Sequence, residues 1–212
     1  YDIIIHCAYD GDLLNGHRNL FNQSISNIKL VEDLCDIKCK IFIFFSSVDV
    51  YPLNFDGNLS NFKLGFGNYN TRHAFFKMIG ESIVSSKIKN YLILRPTLMV
   101  GKNARLSTVR SIICGKKGPY SLTKNSRFNI ITHDQIFFCI QAALRRNKTG
   151  IINLFSDLEF SLEELAKQVK NENISWGNFE YKTPKIKEIN PIQLFGGKNN
   201  TIQELISTVR NF

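Results

Sequence analysis

The sequence predicts an α/β fold, with a parallel sheet in the first half and a smaller mixed α/β lobe in the second. Short, fully apolar runs alternate with helix-length segments along residues 1–96. Such runs are what strands buried on both faces require. The helical segments between them are long enough to cross from one parallel strand to the next. The second half breaks this rhythm, with shorter strands and clear helix-capping signatures.

The first strand is expected over residues 2–7, where Ile3-Ile4-Ile5 leads into His6, Cys7 and Ala8. Apolar residues at Leu20, Ile25, Ile28, Val31 and Leu34 fall near helical spacing over 19–34. A second buried strand covers 40–45 and ends in Ser46-Ser47. Residues 54–68, rich in Asn, Gly and Asp, read as a loop. A helix follows over 70–86, then a strand over 91–94 that runs into Arg95-Pro96. In the second half, 107–114 reads as a helix stopped by Gly115, and 129–132 as a short strand. Asp134 is expected to cap a helix running to Arg146, and 150–155 is another strand. Ser161 with Glu164, and Thr201 with Glu204, are capping boxes that open the last two helices. The expected division is 1–106 for the sheet domain and 107–212 for the smaller lobe, with some elements of the latter returning to the sheet.

The 212 residues are 43% hydrophobic and 21% charged, a globular composition, and the longest apolar runs are too short to span a bilayer. The net charge is +9, but the basic residues are scattered, so charge alone does not point to nucleic acid. The five cysteines form no CxxC pair and no metal-ligand spacing, so no metal is expected and a reducing cytoplasm suits them.

The residues that can carry chemistry fall in a fixed order. A strand ends in Ser47, a helix carries His73 and Lys77 at i, i+4, and a further strand ends in Arg95-Pro96. The carboxyl ends of parallel strands form the usual ligand crevice, and i, i+4 spacing sets His73 and Lys77 side by side. Tyr69 lies one turn earlier. Taken singly, Glu81 reads as a surface ion-pair partner, His6 as a packing residue, and Trp176 and Phe179 as packing for the lobe. Helix-face solvation is at least as good a reading of Asn22 and Asn27 as a role in the crevice.

In this order the segments resemble the extended short-chain dehydrogenase/reductase family, in its NAD-dependent sugar epimerase/dehydratase branch. The segments are 2–8, Phe44 to Tyr51, His73 to Glu81 (normally Tyr-x-x-x-Lys-x-x-x-Glu), Leu92 to Pro96 with Gly101, Arg127 ahead of Asp134, and Gly150 to Leu154. The resemblance implies a Rossmann-like parallel sheet, the C-terminal half of a doubly wound one. It implies NAD or NADP beside Cys7, Ala8, Lys77 and Pro96, and a nucleoside-diphosphate sugar contacted by Ser47 and Arg127. It also implies an acid/base triad of Ser47, His73 and Lys77, and it admits a homodimer.

The pattern is also broken. No glycine-rich phosphate loop is present, and the chain opens directly in a strand. Residues are therefore expected to precede Tyr1, with this chain the C-terminal portion of a longer enzyme and impaired alone. The first strand should then be an exposed apolar edge. His73 stands where the family has tyrosine. It can serve as the base, leave that role to Tyr69, or mark a weakened enzyme; a neighbouring Lys77 favours its neutral form. Leu98 replaces an Asn that many members use on the sugar. The alternative function is a non-catalytic binding or scaffold relative, for which RNA at the basic surface is one partner to test.

Overall fold

The structure, a computed structural model, describes residues 1–8, 20–52, 55, 57–58, 72–101 and 104–210. The chain forms two compact units, one of Tyr1–Arg95 with Asn147–Asn153 and one of Pro96–Arg146 with Leu154–Phe212.

The first unit is built on a sheet of order β1-β2-β3-β6, formed by β1 (Ile3–His6), β2 (Ile41–Phe45), β3 (Tyr91–Pro96) and β6 (Gly150–Leu154). β1 pairs with β2 in parallel from Ile3↔Ile41 to His6↔Phe44, and β2 with β3 from Phe42↔Tyr91 to Phe45↔Leu94. The centres of the middle strands are apolar because both of their faces are covered: Phe42, Ile43, Leu92, Ile93 and Leu94 are all buried. Among the described residues β1 is one edge of this sheet, and Ile3 and Ile5 on it are 41% and 51% exposed. Helices α1 (Leu20–Cys35) and α2 (Arg72–Lys87) pack against each other. Val31 and Cys35 of α1 and Val84 of α2 close over Phe42, Phe44 and Ile93. Gly80 lets α2 come this near: a Cβ there would sit 2.5 Å from the Phe44 ring.

The second unit holds a mixed sheet of order β4-β5-β7, from β4 (Leu98–Val100), β5 (Arg127–Thr132) and β7 (Glu159–Ser161). β5 runs parallel to β4 and antiparallel to β7. Helices α3 (Thr108–Ile113), α4 (His133–Arg145), α5 (Leu162–Gln168), α6 (Pro191–Leu194) and α7 (Ile202–Arg210) complete it. Its core joins Val109, Ile112, Ile130, Leu165, Leu205 and Val209. The cap of α4 is Thr132, not Asp134. The extended Thr132 ends β5, its hydroxyl accepts the Gln135 N–H, and Gln135 reaches back to the Thr132 N–H at 3.0 Å. Asp134 instead places its charge in the first turn, where the helix dipole favours it. The capping boxes expected at Ser161 and Thr201 are present.

Candidate active site

The first unit gathers most of the expected site at the carboxyl ends of its strands. β2 leaves the sheet through Ser46 and Ser47, and Ser47 turns the chain at once: its Oγ accepts the Asp49 N–H at 3.1 Å and caps a 3-10 turn over Val48–Val50. Because that bond uses a lone pair, the Ser47 O–H can still donate.

α2 brings Lys77 to the same strand exit. Its Nζ donates to the Phe45 carbonyl at 2.7 Å, and it lies 5.2 Å from the centre of the Phe44 ring. Lys77 is almost fully buried, and burial lowers its pKa from 10.5 to about 8. The exit of β1 lies beside it. His6 is buried, and burial together with the Lys77 cation lowers its pKa from 6.5 to about 4, so it is neutral at neutral pH. Ala8 lines a cavity of about 10 Å³ with His6, Asn27, Phe44, Lys77 and Gly80, room for about one water. Cys7 follows His6 directly, is exposed, and is near enough to Lys77 to act on its charge. Cys7, Ala8 and Lys77 thus come together. Asn27 is buried against this group rather than solvated on a helix face.

His73 is half-buried in the first turn of α2, one helical turn before Lys77. Tyr69 and the Asn22 side chain lie outside the described residues.

Behind Ser47 and Lys77 runs a polar network that sequence reasoning missed. Glu81 is not on the surface: it is 1% exposed. Arg95 grips it through a two-pronged pair, Nε to Oε1 at 2.9 Å and Nη2 to Oε2 at 2.6 Å. The Ser46 hydroxyl donates to the same carboxylate. Arg95 also donates from Nη1 to the Tyr51 hydroxyl at 2.8 Å, and Tyr51 donates to Asn153 Oδ1 at 2.7 Å. Burial opposes the Arg95 charge, and the bonds to Glu81 more than offset it, so its pKa is raised. The available signal was the spacing of Glu81, four residues after Lys77 on the same helix stripe.

Pro96 and Arg127 belong to the second unit. Pro96 ends β3 and is buried. Arg127 opens β5 and is 42% exposed at the side chain. Its Nε donates to Glu159 at 2.9 Å, and its Nη1 lies 3.8 Å from Glu164. Trp176 packs against the core of this unit, whereas Phe179 is 57% exposed and does not. Among the described residues, no three His, Cys, Asp or Glu side chains are grouped to hold a metal, and no helix is long and apolar enough to cross a membrane.

A parallel sheet of this order, with a hydroxyl and a buried ammonium at its strand ends, is Rossmann-like in architecture. No family model matches the sequence, and no curated protein does. Solved structures do share the fold. UDP-glucuronic acid 4-epimerase from Bacillus cereus, in complex with UDP-glucuronic acid and NAD, aligns over 99% of this chain and 74% of its own, with TM-score 0.71 and 16% identity. UDP-N-acetylglucosamine 4-epimerase from the same organism aligns over 99% and 76%, with TM-score 0.73 and 15% identity. The dTDP-4-dehydrorhamnose reductase of Yersinia enterocolitica aligns over 100% and 81%, with TM-score 0.69 and 20% identity. These solved structures are members of the extended short-chain dehydrogenase/reductase family that the sequence resembles.

Proposed function

We propose that the protein is an NAD(P)-dependent enzyme of the epimerase, dehydratase or reductase type, acting on a nucleotide-activated sugar. The observation that carries this reading is the meeting of Ser47 and Lys77 at one strand exit, with Lys77 bonded to the carbonyl two residues before Ser47. The neighbours with bound NAD and UDP-sugar support the choice of ligands.

The residues present fit a nicotinamide cofactor. Lys77 offers a buried cationic donor for ribose hydroxyls, and the exposed Cys7 and Ala8 are small enough to leave the strand end approachable. Pro96 is assigned to the same cofactor. When bound, the nicotinamide supplies reversible hydride acceptance. Ser47 donates a hydrogen bond to the reacting sugar oxygen. His73 takes and returns the proton at that oxygen, and the Lys77 cation one turn away favours its neutral, accepting form. Arg127 is assigned to the diphosphate, whose oxygens suit a guanidinium fork.

Two measurements test the reading. Calorimetric titration with NAD, NADP and then a panel of nucleoside-diphosphate sugars should show cofactor and sugar binding. Binding of neither, together with salt-sensitive binding of RNA, would overturn the reading in favour of a scaffold. Turnover should fall about 100-fold in His73→Phe and be retained in His73→Tyr; indifference to both substitutions removes His73 from the acid/base role.

A further inference from the structure

Phe45, Ser46 and Ser47 are consecutive at the exit of β2, and two of them are tied to α2. The Phe45 carbonyl accepts from Lys77, and the Ser46 hydroxyl donates to Glu81, one helical turn further on. The helix is therefore pinned at two points to the strand that carries Ser47. The second pin is itself held fast. Both Glu81 oxygens are taken by Arg95 of β3, and Arg95 is steadied by Tyr51 and, through it, by Asn153 of β6. Glu81, Arg95, Ser46 and Asn153 are all under 5% exposed, and Tyr51 is fully buried, so no solvent rearrangement can replace a lost partner.

We propose that Glu81 is a positioning residue: gripped by Arg95 and Ser46, it locks the turn of α2 that carries Lys77 against the strand end that carries Ser47. The role goes beyond a generic core ion pair because its third arm ends on the neighbour of Ser47. A plain helix-to-sheet brace would need only Arg95. The negative charge also faces the Lys77 cation from one turn away and favours its protonated form. His6 and Cys7, both outside α2, are further titratable groups that feel the Lys77 charge or act on it, and His73 lies one turn before Lys77 on α2. The importance of this geometry for turnover rests on the enzymatic reading above; the geometry itself does not.

The test uses protein labelled with ¹⁵N in its lysine side chains, with the Lys77 signal identified by its loss in Lys77→Met. In the parent protein the Lys77 ammonium should titrate near 8. Glu81→Gln should move that midpoint down by about one unit. Ser46→Ala keeps the Glu81–Arg95 pair and removes only the arm to the strand exit. It should speed hydrogen exchange of the Lys77 ammonium about tenfold. It also carries the test if Glu81→Gln fails to fold. An unmoved midpoint in folded Glu81→Gln, or unchanged exchange in Ser46→Ala, overturns the proposal. No substrate is involved, so a moved Lys77 signal without turnover sinks the enzymatic reading alone. Turnover with an unmoved signal sinks the positioning role alone.

Discussion

Each unit of the molecule pairs an arginine with glutamate, and the two pairings do different work. Arg95 and Glu81 are buried in the first unit, meet through both prongs of the guanidinium, and have Ser46 and Tyr51 attached. Arg127 in the second unit faces two carboxylates, Glu159 and Glu164, but all three side chains are between 38% and 55% exposed. Water can replace either partner of Arg127, whereas the Arg95 and Glu81 side chains are only 3% and 2% exposed. The same chemical types therefore make a fixed brace in one place and an exchangeable contact in the other. An exchangeable contact suits an arginine proposed to give up its carboxylates for a phosphate.

The largest effect should come from breaking the buried pair. Arg95→Met leaves the Glu81 carboxylate in the core without its partner, which costs about 3–5 kcal/mol. Urea unfolding should show that loss, and the double variant Arg95→Met/Glu81→Leu should recover most of it, because no charge is then stranded. A single variant as stable as the parent would dissolve the contrast between the two pairings.

Lys77 sharpens the comparison through pH. Its folded pKa, about 8, lies below the unfolded 10.5. Below pH 8 both states are protonated, and the cost of burying the cation is fully present. Between pH 8 and 10.5 the unfolded chain holds more protons, so this group makes stability rise with pH, by about 3 kcal/mol in total. Comparing unfolding of the parent with Lys77→Met across that window isolates the contribution. Parallel pH profiles for the two proteins would mean that Lys77 is not desolvated.

The smallest effect belongs to Arg127→Ala, which should change unfolding stability by no more than about 1 kcal/mol. The change should shrink in high salt. A loss comparable to that of Arg95→Met would show that exposure is not what separates the two sites.

The parallel strands, the i, i+4 spacing of His73 and Lys77, and the capping boxes at Ser161 and Thr201 were all legible from short-range pattern. Each depends on residues a few positions apart, or on apolar runs that only a buried strand tolerates. The cap of α4 was misread because Asp134 and Thr132 are both good capping types, and Gln135 at the third helical position decided between them. Glu81 was misread for a different reason. A glutamate at i+4 from a lysine looks like a solvent-exposed pair, and only the strand that carries Arg95 brings a partner to it.

The sequence by itself determined the fold class, the strand exits and the helix that carries Lys77, because hydrophobic period and cap spacing are local properties of the chain. Tertiary structure alone decided that Lys77 is buried on the Phe45 carbonyl, that His6 and Asn27 close around it, and that Glu81 is bonded to Ser46 and Arg95. Those contacts join residues 14 to 35 positions apart in the buried pair and its serine arm, and 102 apart where Tyr51 meets Asn153. Burial and charge compensation arise only when separate strands and helices share one interior, so no local window of the chain contains them.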